Sequence, residues 1–176
     1  PDCIVLTNSV CRGDKWLDEL LAQDILGSCD AVTLHTYNYS RAGDQRTPEA
    51  WHTRLLGVGE MLLKHSGGKP VDLYITEMGW PTHLSGNGTP PEESATFLAR
   101  LYLLARTLPF LKGIWWYDFQ DDGWRGEYNE NNFGLVRPDL TPKPAYFMAA
   151  DISHLVANAE FVGREDVGDP QLWILR

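Results

Sequence analysis

The chain has 176 residues, and 24 acidic against 15 basic side chains give it a formal net charge of −9, so neither nucleic acid nor an anionic membrane surface suits it as a partner. Apolar residues make up 43% and charged residues 22%, enough to bury a sizeable core and too much apolar surface for a disordered chain. No apolar run approaches the roughly 18 residues that span a bilayer, and the chain does not open on a basic and then apolar leader.

Gly and Pro divide the sequence into a repeated unit: a short β-rich run, a polar loop and a helix-period segment. The first run is Ile4 to Val10, and a helix from about Lys15 to Ile25 follows, with Asp14 as N-cap and Gly27 as stop. The second run is Ala31 to Tyr37. Thr47-Pro48-Glu49 then opens a helix with a capping residue and Pro at the first helical position, and Gly67-Gly68 closes it. The third run is Val71 to Glu77. Its helix starts at Thr89-Pro90-Pro91-Glu92-Glu93, carries Phe97, Leu98, Leu101, Leu104 and Leu108 at helical spacing, and halts at Pro109. The fourth run, Ile114 to Phe119, leads through a longer loop to Thr141-Pro142 and a last helix containing Tyr146, Ile152 and Leu155. From about Ala159, Glu160 to Arg164, a Gly168-Asp169-Pro170 turn and Leu172 to Leu175 read as a β-hairpin or the start of an accessory β element. With strand-like runs at both termini, the chain reads as cut at both ends.

Strict β–α alternation predicts an α/β fold with parallel strands, because parallel neighbours require a crossover and the crossover here is helical each time. An open doubly wound sheet and part of a (β/α)8 barrel both fit that alternation. The loops favour the barrel: they run about ten residues after Tyr37 and Glu77 and about twenty after Phe119, beyond the usual two to six. Eight units need about 250 residues, so residues 1–158 supply half a TIM barrel, and 159–176 the β element. In such a barrel function gathers at the C-terminal ends of the strands.

Those ends hold the candidate chemistry. Period two puts Glu77 on one face with Val71, Leu73 and Ile75, a carboxylate closing an apolar row at the mouth of the sheet, and either a chemical role or an ion pair with a neighbouring loop would explain it. Trp115-Trp116-Tyr117 cannot all point one way, so at least one of the three faces the ligand side. His35 and Tyr37 share a face at the end of the second run. The seven Trp, seven Tyr and six Phe suit sugar stacking, although core packing explains most of them more simply. The His residues show no metal-ligand spacing, and Cys3, Cys11 and Cys29 read as buried thiols, so neither metal nor cofactor is expected. Asp118, Asp121 and Asp122 fit a solvated loop or hydrogen bonds to sugar hydroxyls better than a hard cation. Asn38-Tyr39-Ser40 and Asn87-Gly88-Thr89 match the N-glycosylation pattern, a short motif frequent by chance.

His35-x-Tyr37, Thr76-Glu77-x-Gly79-Trp80, Trp116-Tyr117-Asp118-x-x-Asp121, Asn132-Phe133-Gly134-Leu135 and Pro142-Lys143-Pro144-Ala145-Tyr146 follow one another at successive strand ends. As an ordered set they resemble the C-terminal half of a clan A (β/α)8 glycoside hydrolase, from strand five through helix eight. The resemblance implies that Glu77 is the nucleophile of a retaining mechanism and that His35 and Tyr37 line the sugar subsite and orient it. It also implies that Trp116 or Tyr117 floors the subsite, with Trp80 and Asp118 in the substrate-binding set. The family's acid/base Glu ends strand four, usually as Asn-Glu, and falls in an N-terminal half outside this chain; Glu92, Glu93, Glu127 and Glu130 lie in helix starts or loops and do not fit that place.

The leading reading is therefore hydrolysis of a β-linked glycan or glycoside, extracytoplasmic by the family's habit. A non-catalytic carbohydrate-binding or assembly half-barrel is the alternative, and an accidental match on an unrelated α/β protein a third. The expected partners are a carbohydrate and either an N-terminal half-barrel or a second copy, because half a barrel leaves two open strand edges.

Overall fold

A computed structural model describes residues 3–8, 11, 13–169 and 172–176. The elements run α1 (Asp14–Leu21), β1 (Ala31–His35), α2 (Pro48–His65), β2 (Asp72–Met78), α3 (Pro91–Ala105), β3 (Leu111–Trp116) and α4 (Pro144–Val156). β1, β2 and β3 form one parallel sheet in sequence order, each pair joined by a helix, so the fold is α/β. The chain closes with a short antiparallel ribbon, β4 (Arg164–Glu165) against β5 (Ile174–Leu175). Among the described residues no helix is long and apolar enough to cross a membrane.

Local chemistry sets most boundaries. Thr47, in extended conformation, accepts a hydrogen bond from the Ala50 N–H, and Pro48 begins α2. Gly67 and Gly68 end it at φ of 66° and 84°, and the Gly68 N–H returns to the Leu63 carbonyl. The first helix is shorter than its pattern: Gly13 is the cap, Asp14 is already helical with its carboxylate on Arg54, and Asp24 turns left-handed at φ 58° three residues past Leu21. A 3-10 turn, Ile25–Gly27, follows.

The second predicted run ends at His35, two residues short of Tyr37, and the first and fourth differ more. In its described residues the run from Ile4 forms no regular strand; it lies beside β1 through one parallel bridge, Leu6 to Ala31. The Thr33 N–H donates to the Thr7 hydroxyl and the Thr33 hydroxyl to the Thr7 carbonyl. Ile4, Val5 and Leu6 are exposed, so no packing holds the run flat against the sheet, and Val10 lies outside the described residues. The fourth run starts earlier and stops sooner. The Tyr117 N–H still reaches the Met78 carbonyl, but the Asp118 N–H turns to the Phe133 carbonyl, so Tyr117, Asp118 and Phe119 belong to the loop.

The core lies between the sheet and α1 to α3. Val32, Leu34, Leu73, Ile75 and Met78 meet Leu17, Leu21, Trp51, Leu55, Leu62, Phe97 and Leu101. Each such side chain contributes about 1.5–3 kcal/mol by leaving water, which fixes the helices on that face. The opposite face carries Tyr74 stacked on Trp115 with ring centres 6.2 Å apart, and Trp115 is 52% exposed. The cysteines correct the sequence reading: Cys3 and Cys11 are exposed and Cys29 only partly buried. All three sit on irregular segments outside the helix–sheet layers, where packing does not bury them fully.

Candidate active site

The loops after the strands, residues 36–47, 79–90 and 117–143, gather at one end of the sheet. Glu77 reaches this end by a route that period two does not describe. Leu73 and Ile75 enter the helix-covered core, and the β2–β3 register shifts between Ile75 and Met78. Met78 therefore continues the apolar row, and Glu77 turns the other way, its side chain 33% exposed. This corrects the expectation that Glu77 shares a face with Val71, Leu73 and Ile75. A second shift, between Leu34 and His35, sets His35 opposite Glu77.

One carboxylate oxygen of Glu77 is held twice: the Tyr37 hydroxyl donates to Oε2 at 2.9 Å, and His35 Nδ1 lies 3.1 Å from the same atom. Burial, reinforced by the Glu77 charge and hydrogen bond, pushes the Tyr37 phenol far above its ordinary range, so it stays a donor. Tyr117 is pushed up to about 12, by burial first and then by Asp122, Asp118, Glu130 and Glu77. Cys11 Sγ approaches His35 Nδ1 at 3.6 Å.

These groups border a cavity of about 370 Å³ that Tyr39, Arg41, Glu130 and Phe133 complete. Phe133 is its pillar. Its ring meets those of Tyr37, Tyr39 and Tyr117 edge-on at 5.4–5.5 Å, the geometry aromatic quadrupoles favour. Phe133 comes from the long loop, which folds back because its carbonyl accepts from both the Trp116 indole and the Asp118 N–H. Gly79 is needed where β2 ends: a Cβ there would stand 2.4 Å from the Tyr117 carbonyl oxygen.

A buried ion pair ties the loop down. Lys143 Nζ lies 2.6 Å from Asp121 Oδ1, with the two side chains 4% and 5% exposed. Lys143 also donates to the Thr82 hydroxyl and the Asn132 carbonyl, and Asp121 accepts the Gly134 N–H. Burial pushes Asp121 up and Lys143 down, and each charge opposes the other's shift.

Of the residues singled out from the sequence, His35, Tyr37, Glu77 and Tyr117 converge on the cavity. Trp116 does not line it; it packs 6.1 Å from Trp80 against the core. Trp80 is 0% exposed, beside Phe97, with its indole donating to the Arg46 carbonyl at 2.7 Å. It packs in the core with Met78, Phe97 and Trp116. Asp118 stands to one side, with Oδ1 buried and lacking a hydrogen-bond partner; burial, then Asp122 and Asp121, push its carboxyl up to about 6. Asn38 is buried, its amide on the Gln45 and Thr47 carbonyls, so that Asn-x-Ser match is structural. Among the described residues no group of three His, Cys, Asp or Glu is placed to hold a metal ion. Tyr39 and Arg41 were not singled out, and Glu130 was weighed only for the acid/base place, which its position in a loop does not fit; the period-two extension from Tyr37 would have pointed to Tyr39.

No family model matches the chain, and no curated protein does. Solved structures match it well. A family 39 glycoside hydrolase from the gut symbiont Bacteroides cellulosilyticus WH2 aligns with a TM-score of 0.66 at 29% identity, over 86% of this chain and 32% of that one. A β-glucuronidase from Faecalibacterium prausnitzii (TM-score 0.59, 22% identity, 86% of this chain, 25% of that one) shares the fold. So does a GH5_18 protein from Bifidobacterium longum subsp. infantis (TM-score 0.59, 19% identity, 78% of this chain, 33% of that one). The chain spans a quarter to a third of the length of these structures. Its structural neighbours are glycoside hydrolases, and the resemblance read from the strand-end motifs holds.

Proposed function

We propose that these residues form the strand-five to strand-eight half of a retaining (β/α)8 glycoside hydrolase that cleaves a β-linked glycan or glycoside, with Glu77 as nucleophile. One observation carries the reading: Glu77 ends a parallel strand in an aromatic-walled cavity, with Oε2 held by both Tyr37 and His35. The Tyr37 hydrogen bond and the close approach of His35 Nδ1 on one oxygen restrict how the carboxylate can turn. That is what attack on an anomeric carbon requires. Tyr117, backed by the buried Phe133 ring, supplies apolar surface for the sugar ring.

A retaining mechanism needs a second carboxyl group about 5–5.5 Å from the first, to protonate the leaving oxygen and later to activate water. We assign it to an N-terminal half-barrel that pairs with the open edges of the sheet and covers Tyr74 and Trp115. Without that half, the same edges and aromatic face favour self-association.

The test uses the protein carrying both halves. Glu77→Gln should lower turnover of an aryl β-glycoside by about 100-fold or more, and an activated 2-fluoro glycoside should label Glu77. A loss below about tenfold, roughly 1.4 kcal/mol, or a label on another carboxylate, removes Glu77 from the role. Sugar binding by the parent protein with no turnover of any glycoside would instead favour the non-catalytic module.

A further inference from the structure

We propose that Glu130 is a sugar-recognition carboxylate of the Glu77 cavity and that this cavity selects a neutral glycan. The proposal rests on the reading of Glu77 given above and adds a substrate class to it.

Glu130 lies on a 3-10 turn, Asn129–Asn132, in the loop after β3, and lines the same cavity as Glu77. Its carboxylate is held in place: the Asn129 amide donates to Glu130 Oε1 at 2.6 Å and to the Tyr39 hydroxyl at 3.0 Å. The turn is itself fixed, since the Asn132 amide donates to the carbonyls of Arg125 and Tyr128, and the Phe133 ring behind it is buried. A carboxylate oriented in this way accepts two adjacent hydroxyls at once, and charge-assisted bonds of that kind carry both strength and geometry. Tyr39 adds a donor beside it, because its oxygen accepts from Asn129 and its own proton is left for a ligand. Burial keeps that phenol above its ordinary range.

Charge then selects the class of sugar. Among the described residues no Lys, Arg or His nitrogen lies within 4 Å of the Glu130 carboxylate, and Arg41 forms no ion pair. The other cation of the cavity, Arg54, is held by both oxygens of Asp14. Two carboxylates, Glu77 and Glu130, thus line a cavity in which His35 stands beside Glu77 and, among the described residues, Arg41 is the one guanidinium without an ion pair, in a chain of net charge −9. A uronate would bring a third carboxylate into this field, whereas a neutral sugar offers hydroxyl donors that both acids can accept. A site built to hydrogen-bond a hydroxyl also rejects the deoxy analogue strongly.

The experiment uses the protein carrying both halves, with p-nitrophenyl β-glucoside, β-galactoside, β-xyloside, β-mannoside and β-glucuronide as probes. Glu130→Ala should raise KM for the best neutral glycoside about 10- to 100-fold with kcat nearly unchanged, the effect of losing hydrogen bonds to a charged group. Glu130→Gln, which keeps the shape and removes the charge, should raise the relative kcat/KM for the glucuronide about tenfold or more. Titration of the best substrate's disaccharide into Glu77→Gln and Glu77→Gln/Glu130→Ala should show the same loss of affinity without any reliance on turnover. Unchanged KM and affinity in folded Glu130→Ala would overturn the proposal. So would a parent protein that prefers the glucuronide. A fall in kcat confined to poor leaving groups, with loss of the alkaline limb of the pH profile, would make Glu130 the general acid and overturn it as well. Full turnover by Glu77→Gln would count against the nucleophile alone, since the affinity comparison still reads Glu130.

Discussion

Replacing Lys143 with Met would test what holds the long loop, and with it Phe133, over the cavity. At 2.6 Å from Asp121, the attraction is about 6 kcal/mol at an effective dielectric of about 20. Burying each ion costs several kcal/mol, so the pair as a whole comes close to break-even. Its halves do not. Lys143→Met leaves the Asp121 carboxylate buried with the Gly134 N–H as its remaining donor, and removes a donor from the Thr82 hydroxyl and the Asn132 carbonyl. Urea unfolding at pH 7 should show a loss of about 3–5 kcal/mol.

The pH dependence follows from the sign of the Asp121 shift. Burial already raises that carboxyl in the folded state, and removing the cation that opposes the shift raises it further. A folded-state pKa above the unfolded one means that stability is intact at low pH and falls as pH rises through the folded value. The deficit of the variant should therefore shrink as the pH drops from 7 toward 4. Adding Asp121→Asn should recover much of it at pH 7, since the buried charge is gone. A deficit below about 1 kcal/mol, or one that deepens on acidification, would refute the reasoning.

Trp80→Leu should cost about 3 kcal/mol or more in urea unfolding, because the side chain is fully buried and the Arg46 carbonyl loses its donor. Sugar affinity of the folded variant should stay within about twofold of the parent, and weakened binding at unchanged stability would make Trp80 a cleft residue instead. Asp118, held at about 6 against an ordinary 3.8, lowers stability as it ionises between those values. Asp118→Asn should therefore gain about 1 kcal/mol at pH 7 and nothing at pH 4; an equal gain at both would show that the carboxyl charge is not the cause.

Much of the architecture was legible locally. Thr47-Pro48 marked the start of α2 and Gly67-Gly68 its end, because a cap, a donor-less first residue and a positive φ are satisfied by neighbours in the chain. The parallel order of β1, β2 and β3 followed from helical crossovers, and the strand-end placement of His35, Tyr37 and Glu77 from the motifs themselves. The run from Ile4 had strand composition but not the packing to keep a strand, and nothing in its own residues records that.

The faces and the company of the site residues belong to the tertiary structure. Alternation assumes an unbroken register, and the shift between Ile75 and Met78 sends Glu77 away from Leu73 and Ile75 toward Tyr37 and His35. Trp80 and Tyr117 are both aromatic residues just past a strand, yet one is sealed beneath Phe97 and Trp116 and the other opens on the cavity. Glu130 and Phe133 line the cavity of Glu77 because the long loop folds back, held by the Phe133 carbonyl on Trp116 and Asp118 and by the Lys143–Asp121 pair. Contacts between residues more than fifty positions apart depend on how that loop closes, and residue type and spacing along the chain do not encode a closure of that kind.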